Sequence, residues 1–336
     1  MKFLDYKNYY EAVEILRLGG LVAIPTETVY GLAASIFDKE AISSIFLAKG
    51  RPSDNPLIVH ISSMDMIDPL VDKMTYKTQA LADKFWPGPL TIILPKTDRV
   101  NNIVSGGLDT VAIRMPKHKI ALDIIDKLGI PLAAPSANRS GSPSPTSAKH
   151  VYDDLNGRID AIVDGGVCEY GVESTVISFA EDIPTILRPG AVTYEMIKET
   201  IGDVRIDKAV YSKLESGKTA ISPGLKYKHY SPRCKVIIVD GCKEKYIEFV
   251  NKITNKKSYA FCYDEDIPFL KIPYISYGAR HNLLEQSRNL FDKLRYLDEI
   301  NAETVYVHCP KKEGIGLALY NRLLRSAGFE VINLEK

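Results

Sequence analysis

The chain has 336 residues, 45% hydrophobic and 25% charged, ordinary globular values that fit about two domains and leave little room for long disordered tracts. The formal net charge of +1 supplies no global basic field, which disfavours polyanion binding as the main task. The longest apolar runs, such as Leu21–Pro25 and Pro131–Pro135, fall far short of a bilayer span, and Met1–Asp5 opens without a signal-peptide pattern, so no membrane partner is expected and the sequence reads as cytoplasmic. Cys168, Cys234, Cys242, Cys262 and Cys309 are scattered without a C-x-x-C pair, suggesting neither a disulfide framework nor a structural metal site. Only Cys168, set among glycines, stays open as a reactive thiol, and it lacks an evident base partner.

In chain order, Tyr9–Leu18 has helical apolar spacing, Gly19-Gly20 stops it, and Leu21–Ile24 reads as a buried strand ending at Pro25. Helices are predicted over Asp38–Ala48, Tyr76–Phe85, Ile120–Leu128, Lys149–Leu155 and Tyr194–Ile201. Strands are predicted over Leu57–Ile61, Leu90–Leu94, Thr110–Arg114, Ile162–Val163 and Thr175–Ser178. This alternation makes residues 1–205 an α/β domain with a mixed sheet. Polar residues, glycines and prolines without helical or strand period mark 206–232 as a linker, too long for an ordinary loop. Lys235–Val239, Lys245–Ile253, Ser258–Cys262, Leu283–Leu294, Thr304–His308 and Leu317–Ala327 then alternate strand and helix, so residues 233–336 read as a small open α/β domain.

Five segments can carry chemistry. Pro25-Thr26-Glu27-Thr28-Val29-Tyr30-Gly31-Leu32 follows a buried strand and offers hydroxyls to a small polar ligand, although Thr and Glu at this spacing also suit a helix start. Lys49-Gly50-Arg51-Pro52 sets two cations one residue apart in a loop stiffened by Pro52 and Pro56, suited to phosphates or to an exposed solvated turn; a strand ending in His60 follows. On Thr110–Arg114, alternation places Arg114 on an apolar strand, where it needs a ligand carboxylate or an internal salt bridge. Ala133-Ala134-Pro135-Ser136-Ala137-Asn138 can project Ser136 and Asn138 together, with Ser144 in a proline-stiffened loop beyond. Gly171-Val172-Glu173-Ser174-Thr175 and Leu187-Arg188-Pro189-Gly190 bracket a hydroxyl and an arginine with glycines. No P-loop and no dinucleotide-binding turn occurs, so any phosphates must be held by side-chain cations and hydroxyls.

These segments, in this order, resemble the YrdC-like domain over roughly residues 8–202, and 222–232 resembles the linker motif of the long, two-domain L-threonylcarbamoyl-AMP synthases, with Leu225 where Met is frequent. The resemblance implies a YrdC-like mixed twisted sheet with flanking helices around a concave cleft, followed by a small Rossmann-like domain. It implies a nucleotidyltransferase that converts ATP, L-threonine and bicarbonate to threonylcarbamoyl-AMP and pyrophosphate, with Mg²⁺ accompanying ATP. The product would pass to a downstream tRNA threonylcarbamoyl transferase making t6A, and any RNA contact would be weak. Carried over, Lys49, Arg51, Asn55, Thr110, Ser136, Asn138, Ser144, Arg188 and Tyr230 are expected to hold ATP, with Lys49 and Arg51 catalytic. Thr28, His60, Arg114, the Ala134 backbone and Ser174 are expected to hold threonine, while Tyr230 makes the linker an active-site lid. Three rivals stand beside it: an RNA-binding module of the same fold, which lacks a basic field here; the carbamoyl-transfer domains of hydrogenase-maturation proteins, which sit in larger chains with metal-binding Cys pairs; and a structural or regulatory protein that binds nucleotide without turnover, which an assay would separate.

Overall fold

The computed structural model describes residues 1–213 and 230–335. Most of the expected linker, including Leu225, and with it any test of the lid, lies outside them; of the linker motif only Tyr230 to Pro232 is described. The larger sheet is built, in chain order, from β1 (Lys2–Leu4), β2 (Val22–Ile24), β3 (Gly31–Ser35), β4 (Ile58–His60), β5 (Leu90–Pro95), β6 (Thr110–Arg114), β7 (Leu132–Ala133), β8 (Ala161–Val163), β9 (Thr175–Ser178), β10 (Thr185–Arg188) and β11 (Arg205–Ile206). Their spatial order is β1-β8-β2-β3-β7-β4-β6-β5-β9-β10-β11, with parallel and antiparallel pairs mixed. A smaller sheet contains β12 (Lys235–Asp240), β13 (Ser258–Cys262), β14 (Tyr274–Ser276), β15 (Thr304–His308) and β16 (Val331–Asn333), all parallel in the order β14-β13-β15-β12-β16. The protein is therefore α/β in both parts, as its alternating pattern predicts.

The helix Lys39–Lys49 shows how local chemistry sets the site. Asp38 caps it by accepting from the Glu40 and Ala41 backbone amides, while Ile42, Ile45 and Phe46 bury its inner face. Gly50, at φ 61°, ends it in the left-handed conformation that a side chain resists. The cations on either side of that glycine are thus delivered to the middle of the sheet, Lys49 to the turn after β7 and Arg51 to the chain entering β4. Parallel β4 and β6 set His60 opposite Arg114, and β7 runs antiparallel to β4 with Ala133 opposite Val59.

Three expectations need correction. No helix follows the Thr26–Thr28 turn; the chain enters β3, which pairs antiparallel with β2. Arg51 is not a solvated side chain: Pro52, Ser53 and Asp54 beside it are exposed, but its guanidinium folds inward and Nη2 donates to the Pro56 carbonyl at 3.0 Å. Residues just after 206 keep regular structure: Lys208–Val210 forms a 3₁₀ turn capped by Asp207, with Ala209 and Val210 buried. The two parts also share apolar packing, since Val29 and Val172 join Phe291, Leu290 and Leu323 in one core cluster.

Candidate active site

Strand residues of β4 (Ile58, His60), β6 (Arg114) and β10 (Arg188), the loops after β2 and β7, Arg51 beyond the helix Lys39–Lys49, and the loop entering β9 line one cleft. Behind one wall stands Lys49, whose buried ammonium donates to the carbonyls of Ser136 and of Asn138, the latter at 2.7 Å. Burial, reinforced by nearby Arg51, pushes its pKa well below the ordinary lysine value. That anchor fixes the Ser136–Asn138 turn, in which Ser136 Oγ donates to Asn138 Oδ1 at 2.6 Å and Asn138 Nδ2 donates to the Ser142 carbonyl at 2.8 Å. Arg51 reaches the cleft itself and is pushed down to about 10 by burial, which still leaves it charged at neutral pH. Opposite, Arg188 donates through Nε to the Ser174 carbonyl at 3.0 Å and through Nη2 to Ser174 Oγ at 3.1 Å. Among the described residues Arg51 and Arg188 spend these donors on carbonyls and a hydroxyl, so neither charge is cancelled by a direct ion pair. Two such cations in a buried cleft favour an anionic ligand.

The other end of the cleft is of different character. Arg114 Nη2 lies 2.8 Å from Glu27 Oε2, both side chains being nearly inaccessible, so an internal ion pair balances the charge of this buried arginine. The pair is close enough for ionic attraction but out of line for a hydrogen bond, which leaves Nη2 with donor capacity. His60 is buried beside it, with Nδ1 3.2 Å from the Ile58 carbonyl. A carbonyl partner there places the ring hydrogen on Nδ1 and leaves Nε2 as an acceptor. Burial, then the neighbouring Arg114 charge, pushes His60 down to about 3, so the ring is neutral at physiological pH. Ser174 Oγ is also 2.8 Å from Thr91 Oγ1. Cys168 is buried and its thiol is pushed up to about 12, chiefly by burial, which removes the nucleophile kept open from sequence.

A sequence profile described as "Telomere recombination" matches residues 14–190, and one described as "Threonylcarbamoyl-AMP synthase, C-terminal domain" matches residues 192–328. The threonylcarbamoyl-AMP synthase of Pyrococcus abyssi is 44% identical, with 96% of this chain and 95% of that protein covered. The chain belongs to the threonylcarbamoyl-AMP synthase family. The Bacillus subtilis member is also 44% identical, over 96% of this chain and 93% of its own length. The crystal structure of P. abyssi Sua5 complexed with L-threonine superposes with a TM-score of 0.92 at 42% identity, covering 99% of this chain and 100% of that one.

Within this family member, the cleft gathers Arg51, Ser136, Asn138, Ser144, Arg188 and Tyr230 from the residues expected to hold ATP. From those expected to hold threonine it gathers His60, Arg114, Ala134 and Ser174. Four others do not reach its lining. Lys49 stands behind the wall, and Asn55 is buried under Arg51, to whose Nη2 its carbonyl is 3.4 Å distant. Thr110 starts β6 at the far end of that strand from Arg114, and Thr28 is fully buried beside Thr26, their hydroxyl oxygens 2.9 Å apart. The lining also includes Val29, Ile58, Pro135 and Glu173, of which Glu173 alone carries a charge; it falls in a motif whose glycines and hydroxyl draw the attention instead.

Proposed function

We propose that the chain forms threonylcarbamoyl-AMP and pyrophosphate from ATP, L-threonine and bicarbonate, the first step toward t6A in tRNA. The observation that carries this reading is the division of the cleft into a cationic end at Arg51 and Arg188 and a second end where Arg114 and neutral His60 stand opposite each other on adjacent strands. The first suits a triphosphate. The second suits an amino acid, with Arg114 donating to its carboxylate and His60 Nε2 accepting from its amine or hydroxyl. Threonine carboxylated on nitrogen then presents a carbamate oxygen to the α-phosphorus; the O–P bond forms as the bond to pyrophosphate breaks, and Arg51 stabilises the charge that develops on the departing oxygens. No covalent enzyme intermediate is needed.

Magnesium enters only as a companion of the nucleotide. Among the described residues no three His, Cys, Asp or Glu side chains cluster as metal ligands, and Glu173, which lines the cleft, and Glu27, which stands beside the lining Arg114, are both paired with arginines. This donor set does not fit a protein-held magnesium, and no step is assigned to one. Among the described residues no helix is long and apolar enough to cross a membrane; a cytoplasmic location belongs to the proposed role in tRNA modification, as does a downstream transferase that accepts the adenylate. Calorimetric titration tests the amino-acid end: L-threonine should bind, valine should bind at least about tenfold more weakly because it lacks the hydroxyl, and equal affinities would overturn the assignment.

A further inference from the structure

The helix Gly314–Ser326, which belongs to the smaller part, carries a guanidinium into the larger one. Arg322 is completely buried. Its Nε donates to Glu173 Oε2 at 2.9 Å, its Nη2 to the Glu173 backbone carbonyl at 3.1 Å, and its Nη1 to the Pro189 carbonyl. Glu173 in turn lines the cleft, and its second oxygen accepts from Ser144 Oγ. Burial works against the Glu173 charge but is outweighed by Arg322, Arg188 and Ser144, so the carboxyl lies below its ordinary range. A buried ion pair is a weak device for stability alone, since apolar residues of similar volume often serve as well. What a guanidinium does here and an apolar side chain cannot is hold three acceptors on two separate loops of the cleft in one plane.

We propose that Arg322 is a positioning residue of the nucleotide end: through Glu173 it fixes the Ser144 hydroxyl, and through the Pro189 carbonyl it fixes the turn that carries Arg188. The smaller part thereby completes the site without Arg322 being among the residues that line it. The inference rests on the reading of this cleft as an ATP site, and the measurements separate the two. Wild-type turnover of ATP and threonine tests the reaction; dissociation constants for ATP with magnesium and for L-threonine, measured separately by calorimetry, test the positioning.

In the full chain, Arg322→Met should weaken ATP binding and raise the ATP KM by about tenfold or more, the scale of a lost charged hydrogen bond. Threonine binding and kcat should stay within about threefold, and Arg322→Lys should recover part of the loss. Glu173→Gln should give the same selective loss, and Arg322→Met combined with Glu173→Gln should be no worse than Arg322→Met alone. Should Arg322→Met not fold, Arg322→Lys and Glu173→Gln still decide the matter through the same ATP-to-threonine contrast. Arg288→Met, which breaks a different contact between the parts, Nε to the Glu169 carbonyl at 3.1 Å, should leave ATP affinity unchanged. Wild-type ATP affinity in folded Arg322→Met or Glu173→Gln, or equal weakening of both ligands, would overturn the proposal.

Discussion

Arg51 and Lys49 flank one glycine and serve different ends, although the spacing alone presents them as equivalents. Lys49 is spent on the carbonyls of the Ser136–Asn138 turn, whereas Arg51 faces the cleft. Arg51→Ala should therefore lower turnover on the order of 10²–10³-fold, the range seen when a donor to developing charge is removed, with the far-ultraviolet circular dichroism spectrum unchanged; a folded variant with full activity would refute the role. Arg114→Met should be harder on the fold, because Glu27 keeps a buried charge without its partner, a deficit of about 3–5 kcal/mol that urea unfolding would register alongside loss of threonine binding. His60 gives a pH signature. Its folded value of about 3 lies below the ordinary 6.5, so the unfolded chain takes up the proton first and the stability held by neutral His60 is complete above about pH 6.5 and lost as pH falls toward 3. Urea unfolding should thus show about 2 kcal/mol lost between pH 7 and pH 5 through this residue, a slope that His60→Gln should flatten.

Elements with a strong period are plain in the sequence. The helices Tyr76–Phe85 and Tyr194–Ile201 and the strands Thr110–Arg114, Thr175–Ser178 and Thr304–His308 have the boundaries their patterns predict. Gly31–Ser35 is missed because all five residues are buried and small or aliphatic, so no alternation marks it, and only the β2 and β7 partners make it a strand. The two-residue β7 is too short to show any period, yet it carries Ala133 and leads to Ala134 at the cleft. Close backbone approach explains one further glycine: a Cβ on Gly190 would lie 2.4 Å from the Thr175 backbone nitrogen. Gly190→Ala should push the Arg188 turn off β9 and destabilise the protein by about 1–3 kcal/mol, seen as a lower thermal midpoint together with weaker ATP binding.

At the scale of the whole molecule, the sequence motifs mark most of the cleft but not what stands behind it. Ser144, Glu173 and Arg188 fall in quoted motifs, whereas Arg322 lies 149 residues from Glu173 on a helix whose own pattern reads as ordinary core packing. Contacts of that separation depend on how the two parts dock, which no local period encodes. Removing residues 207–336 should lower kcat/KM for ATP by more than the roughly tenfold expected of Arg322→Met, since it strips Arg322 from Glu173 and also exposes Val29 and Val172; a truncated protein with unchanged kcat and KM would show the smaller part to be dispensable. The central claim is the reaction, and the measurement that tests it most directly is pyrophosphate release from ATP with bicarbonate, with and without L-threonine, and with serine and valine in its place. The account predicts release that depends on threonine and bicarbonate together and falls away with valine; release indifferent to the amino acid, or none from a folded protein that binds ATP, would contradict it.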